Sequence, residues 1–236
     1  MNPYQKLQQR KRTWTPVQTT AGTIRNGAEE TIYRALAMRH MELPVGSFIQ
    51  DALGEIPSLS ADLLRSNVKD EENHDLALGY IANALGVDET AEAEAKRLRD
   101  AWTAHPDHTV LKALVAERAI FFVLLPFFRF NGDAGLRTVS ADISRDEQVH
   151  VAANSLVCKE MGLEISPSLD KLRKATINWV MTPLKSSTDK YLDKKFWLDQ
   201  SDALMYQGKA PELSDTKRAR MPAFFEHANP NLPQYA

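Results

Sequence analysis

Apolar residues along this chain recur at intervals of three and four, and sparse glycines and prolines divide that period into helix-length pieces. The first piece runs from about Thr20 to Glu42, with Ile24, Ala28, Ile32, Ala35 and Met38 on one stripe and a stop near Pro44. A short helix, roughly Ser47 to Leu53, leads into a long one from about Ser60 to Leu85, which Gly86 ends. Another is predicted over about Glu89 to Thr103. After the break HPDHT, an apolar helix covers Thr109 to about Phe130. The turn NGDAG precedes a helix from about Leu136 to Met161, and two more follow near Ser168–Met181 and Ser187–Gln207. No strand-like alternation and no internal repeat stand out, so the predicted class is all-α. Residues 1–19 read as an N-terminal arm on a domain that extends to residue 208. Beyond Gly208 the period dissolves into KAPELSDTKRARMPAFFEHANPNLPQYA, a polar, proline-containing tail over 209–236 that is expected to be flexible in the isolated protein.

Composition narrows the function classes. With 43% hydrophobic and 25% charged residues, the chain has the make-up of a globular domain large enough for one sizeable core. A net charge of -2 without a basic stripe argues against a general nucleic-acid binder. The run AIFFVLLPFF, Ala119–Phe128, is too short to span a bilayer and contains Pro126, so it reads as a buried helix and no membrane association is expected. The positive segment MNPYQKLQQRKRTW has no apolar stretch behind it and is not a signal peptide. A single cysteine, Cys158, excludes an internal disulfide framework and fits a cytoplasmic protein.

Charge placed on the apolar stripes changes the picture further. Glu-x-x-His occurs twice, as Glu71/His74 and Glu147/His150, and residues three apart on a helix share a face. Glu71 and His74 fall on the stripe of Leu64, Val68, Leu78, Ile81 and Leu85. Glu147 and His150 fall on that of Ile143 and Val157. Glu117 shares a face with Leu114, Phe121, Leu124 and Phe128. On the first helix Glu42 lies mid-stripe, whereas Glu29 sits at its edge and Glu30 faces away. Buried carboxylates cost several kcal/mol each unless neutralised. Internal salt bridges would need buried cations; Arg145 is the one obvious candidate, and one cation cannot balance four acids. Glu42, Glu71, His74, Glu117, Glu147 and His150 form the ligand pattern of bundles that hold two carboxylate-bridged iron or manganese ions. Oxygen and imidazole donors without thiolate suit those metals better than a structural zinc.

The neighbourhoods of these ligands resemble one family. GLRTVSADISRDEQVHVAAN looks like the last metal-binding helix of class I ribonucleotide reductase small subunits, whose signature reads (I/L)-(S/A)-R-D-E-x-x-H. ERAIFFVLLPFF from Glu117 resembles the preceding ligand helix, Glu71-Glu72-Asn73-His74 the first Glu-x-x-His, and FIQDALGEI the short helix that follows the first carboxylate ligand. RTWTPV places Trp14 like the family's radical-pathway tryptophan, which pairs with the aspartate matching Asp146 and the histidine matching His74. MPAFFEHANPNLPQY is similar to the carboxy-terminal region that carries a relay tyrosine, here Tyr235, with Tyr206 the weaker candidate. The resemblance implies a ferritin-like bundle with a dinuclear metal site in a four-helix core and extra flanking helices. It also implies a homodimer, activation by oxygen or a derived oxidant, and a large-subunit partner that holds the substrate.

The chain departs from the family in two ways. It is much shorter, with abbreviated segments between Trp14 and Glu42, before the last ligand helix and in the tail. Leu78 stands where tyrosyl-radical members carry a tyrosine, and Tyr80 is turned off the metal-facing stripe. The expected cofactor is therefore a Mn/Fe or Mn/Mn pair rather than Fe/Fe with a tyrosyl radical. A stand-alone dinuclear-metal oxidase or oxygenase on the same bundle is the alternative; it would share the six ligands and have no use for Trp14.

Overall fold

The computed structural model describes residues 1–215, and among them every regular element is helical. The α-helices are α1 (Pro3–Gln8), α2 (Glu29–Ala37), α3 (Glu42–Ala52), α4 (Ala61–Leu85), α5 (Glu89–Ala104), α6 (Thr109–Ala116), α7 (Phe122–Asn131), α8 (Ala134–Met161), α9 (Pro167–Met181) and α10 (Lys194–Gln207). Four of them close a ring: α3 packs on α4 and α6, and α8 packs on α4, α6 and α7. Outside that ring α2 lies against α5 and α9, α10 lies against α9 and α7, and α1 rests on α8 and α4. No helix among the described residues is long and apolar enough to cross a membrane.

Local chemistry sets most boundaries. Asp133 caps α8 by accepting from the Leu136 N–H at 2.8 Å. The helix stops at Gly162, whose left-handed φ of 66° lets the Leu163 N–H return to the Cys158 carbonyl at 2.9 Å, a glycine-terminated helix end. Asp88, Ser166 and Asp193 cap α5, α9 and α10 in the same way, by accepting from Ala91, Leu169 and Phe196 N–H groups. Inside, Trp102 on α5 donates to Thr176 Oγ1 on α9 at 3.0 Å, so a large buried ring is placed without an orphaned N–H.

The structure departs from the periodicity in five places. The helix expected from Thr20 begins only at Glu29. Residues before it cross the α7–α8 turn instead: the Gly22 N–H donates to Asp133 Oδ2 (2.9 Å) and the Arg25 N–H to the Asn131 carbonyl (2.9 Å). Nor does that helix reach Glu42, because a 3-10 turn over Met38–Met41 intervenes. The expected Ser47–Leu53 helix starts earlier, at Glu42. Pro44 lies in its first turn, where a proline's missing N–H costs nothing, and so does not act as a stop. The apolar Thr109–Phe130 helix is interrupted by a π turn over Glu117–Phe121. The helix expected from Ser187 begins at Lys194, after a 3-10 turn at Lys190–Leu192, because Asp193 caps it there. The N-terminal arm also contains α1, started by a reciprocal pair of Asn2 and Gln5 side-chain bonds to backbone N–H groups.

Candidate metal centre

Helices α4 and α8 each carry Asp-Glu-x-x-His, as Asp70-Glu71 to His74 and Asp146-Glu147 to His150. The Glu and His of each helix turn into the ring, while the Asp one residue earlier reaches sideways to the other helix. Glu42 arrives from the first residue of α3, where the helix dipole favours a carboxylate. Gly46 on α3 lies against α4: a Cβ there would sit 3.4 Å from Glu71 Cβ, in ordinary contact. Glu117 arrives from the start of the π turn. The turn is tied to α10 in both directions: Ser201 Oγ donates to the Ala119 backbone carbonyl at 2.7 Å, and the Arg118 side chain donates through Nε to the Leu204 carbonyl of α10 at 2.9 Å. Single π turns of this kind recur at functional sites.

The six side chains meet in one closed cluster, none more than 1% exposed. His74 Nδ1 faces Glu71 Oε2 (3.3 Å), Glu147 Oε1 (3.4 Å) and Glu42 Oε2 (3.6 Å). His150 Nδ1 faces Glu71 Oε1 (2.9 Å), Glu147 Oε2 (3.7 Å) and Glu117 Oε1 (3.8 Å). Glu71 and Glu147 thus present one oxygen to each imidazole, with Glu42 on the His74 side and Glu117 on the His150 side. One donor atom from each of Glu42, Glu71, His74 and Glu147 lies within 4.8 Å of the others, and so does one from each of Glu71, Glu117 and His150. These residues could hold a metal ion.

The donor atoms fit that role because they face only one another. Beyond those mutual contacts, both oxygens of Glu42, Glu71 and Glu147, Glu117 Oε1 and Nδ1 of both histidines are buried without a hydrogen-bond partner. Native interiors rarely tolerate such a concentration of orphaned polar atoms, since each costs about 1–3 kcal/mol or more if charged. Arg145, the cation that sequence placed nearest, pairs with Asp142 at 2.9 Å instead.

Titration behaviour follows from the crowding. Burial, then the Glu147 charge, raises the Glu117 carboxyl well above its ordinary range. Burial also raises Glu42 well above that range, and raises Glu147 with help from the Glu71 charge. Burial would raise Glu71 too, but the contacts with His150 and then His74 outweigh it and hold that group low. Burial opposes a charge on either imidazole. Asp146 with the facing glutamates lifts His74, and Asp70 with Glu71 lifts His150, both well above the ordinary histidine value. Without a metal, protons supply the positive charge the cluster needs.

Each histidine is held from behind by the aspartate of the opposite helix. His74 Nε2 lies 3.2 Å from Asp146 Oδ2, and that same oxygen accepts from Trp14 Nε1 at 2.6 Å. The Trp14 ring stacks toward His74, centroids 6.2 Å apart, and His74 toward His150 at 5.7 Å. His150 Nε2 lies 2.9 Å from Asp70 Oδ2. Asn154 donates to Glu117 Oε2 at 2.7 Å. Asp70 and Asn154 escaped the sequence reading, although the repeated Asp-Glu-x-x-His was a signal for the first.

The other predicted positions lie as follows. Glu29 accepts from the Gly27 N–H and Glu30 pairs with Arg34, both outside the cluster. Leu78 is buried one turn beyond His74, and Tyr80 is half-buried. Tyr206 is exposed on α10 and donates to Asp170 Oδ2 at 2.7 Å. Tyr235 and the FFE segment lie outside the described residues. Comparison of the chain with protein-family models, with curated proteins and with solved structures finds no match.

Proposed function

We propose that this chain is the small, radical-generating subunit of an aerobic ribonucleotide reductase, a ferritin-like bundle whose cluster holds two transition-metal ions. The observation that carries the reading is Asp146, whose Oδ2 accepts from Trp14 and faces His74 Nε2. A stand-alone oxidase or oxygenase would need the six ligands but not a tryptophan from the N-terminal arm tied to one of them.

Glu42 and His74 would hold one ion, Glu117 and His150 the other, with Glu71 and Glu147 shared between them. Four glutamates balance the charge of two divalent cations, and the oxygen–imidazole donor set suits manganese and iron. Bound there, the pair would supply a high-potential one-electron oxidant after reaction with oxygen or a derivative of it. The protein keeps water and side reactions away by burying all six ligands. Asp146 accepts a hydrogen bond from the Trp14 indole N–H and fixes the His74 ring, so that Nδ1 stays turned to the carboxylates.

Leu78 stands where the resembled family's tyrosyl-radical members have a phenol, so a Mn/Fe or Mn/Mn pair is preferred to Fe/Fe. The homodimer, the cytoplasmic location and the large subunit that binds ribonucleotides belong to the same proposal, as does Tyr235 as the relay toward that partner. Reconstitution with a cognate large subunit tests it. The complex should reduce ribonucleotides, and Trp14→Phe or Tyr235→Phe should abolish turnover without changing metal content. Full turnover in both variants would refute the relay, and oxygen consumption with a small substrate and no large subunit would favour the stand-alone enzyme.

A further inference from the structure

The N-terminal arm touches the cluster twice, through residues three apart. Trp14 reaches Asp146 behind His74. Lys11 reaches Asp70 behind His150: its ammonium forms an ion pair with Asp70 Oδ2 and also donates to Ser66 Oγ at 2.9 Å and Asn67 Oδ1 at 3.0 Å. An ammonium has three donors, and these three oxygens from one turn of α4 use all of them. The Lys11 and Asp70 side chains are only 12% and 14% exposed, unlike the loose surface pairs that contribute little. Of the run Arg10-Lys11-Arg12 only the middle residue turns inward, while its neighbours stay exposed.

We infer that Lys11 is a positioning residue for the metal centre, and that docking of the arm and loading of the His150-side ion reinforce one another. The inference rests on the metal reading above. Asp70 orients His150 only if its own carboxylate is fixed, and apart from α4 itself Lys11 is what fixes it. Groups behind a metal-bound histidine commonly set affinity by about 10–100-fold. Because coupling between two binding events is reciprocal, whatever factor the arm adds to metal affinity the metal adds to arm docking.

The test uses the full chain, Mn2+ titrated against a competing chelator, and trypsin, whose sites at Arg10 and Arg12 report on the arm. In the wild-type chain Mn2+ should slow cleavage after Arg12. Lys11→Met keeps the aliphatic stem but loses the ammonium; it should weaken one of the two Mn2+ ions about tenfold, leave the other unchanged, and abolish the metal-dependent protection. Asp70→Asn should weaken the same ion, Asp146→Asn the other, and the double variant Lys11→Met/Asp146→Asn both. Lys11→Arg should restore part of the affinity, which a role in general stability would not require. Equal weakening of both ions in Lys11→Met, or wild-type affinities with protection retained, overturns the positioning role and leaves the metal reading intact. A wild-type chain that binds no Mn2+ overturns both.

Discussion

Replacing Asp146 by asparagine isolates the charge that this account places behind His74. The side chain is 2% exposed, and a single oxygen, Oδ2, serves both the Trp14 indole and His74 Nε2. An amide oxygen can take that position with almost the same shape, so neither partner is orphaned. What changes is the strength of the two contacts. A hydrogen bond to a charged acceptor contributes roughly 1.5–3 kcal/mol and a neutral one roughly 0.5–1.5 kcal/mol, so each loses about 1 kcal/mol. The His74 contact is the one a cation on Nδ1 would strengthen, because the aspartate charge raises the basicity of the ring. Metal affinity should therefore fall by about 1–2 kcal/mol, or about 5–30-fold. Chelator competition with Mn2+ measures this directly. Asp142→Asn, one turn earlier on α8 and paired with Arg145, supplies the control for charge at a distance. An Asp146→Asn chain within twofold of wild type, or an equal loss in Asp142→Asn, would refute the reasoning.

Three further outcomes follow from the same geometry. Burial lifts Glu42, Glu117 and Glu147, and the facing carboxylates outweigh burial to lift His74 and His150, so the metal-free fold retains protons that the unfolded chain releases. Stability then falls as pH rises above the unfolded values, by about 1.4 kcal/mol per pH unit for each such proton. Glu71, held low, acts in the opposite sense only in the acid range. Thermal melts of metal-free protein from about pH 6 to about pH 9 should show that decline and Mn2+ should flatten it; a level metal-free profile contradicts the burial argument. Ser201→Ala removes the donor to the Ala119 carbonyl and the acceptor for buried Arg173. The cost of about 2–3 kcal/mol should lower Tm by roughly 4–12 °C, and a shift below about 1 °C would mean that the π turn does not depend on α10. With Leu78 in place of a phenol, electron paramagnetic resonance of activated protein should show a metal-centred signal, and a sharp organic radical lost in Tyr80→Phe would assign the oxidising equivalent to Tyr80 instead.

Where a boundary is set by one residue and its immediate neighbours, the sequence reading comes close. Gly86, Asp88 and Gly162 end α4, start α5 and end α8 within a residue or two of the periodic estimate. Long apolar periods likewise placed Glu71, His74, Glu147 and His150 on inward faces, because an i, i+3 spacing survives any small boundary error. Glu42 reached the cluster by a route the helical wheel did not contain. The wheel assumed one unbroken period from Ile24, whereas the Met38–Met41 turn resets it and the residue enters from the N-terminus of α3. A π turn at Glu117 is invisible to a fixed 100° step, since it depends on Ser201 and Arg118 finding partners across the α10 contact. The pairing of Lys11 with Asp70 was illegible for a related reason, although the repeated Asp-Glu-x-x-His marked Asp70 itself. A basic arm and an acidic helix look like solvated charge until residues far apart in the chain are seen to meet.

The central claim is that the buried cluster holds two metal ions, and elemental analysis of the purified, Mn2+- and Fe2+-loaded chain tests it most directly. About two ions per chain are expected for wild type. Stoichiometric loading should be lost in Glu117→Ala and in Glu42→Ala with helical circular dichroism retained, and should be unaffected in Glu29→Ala. A wild-type chain without bound metal, or a Glu117→Ala chain with unchanged metal content, would contradict it.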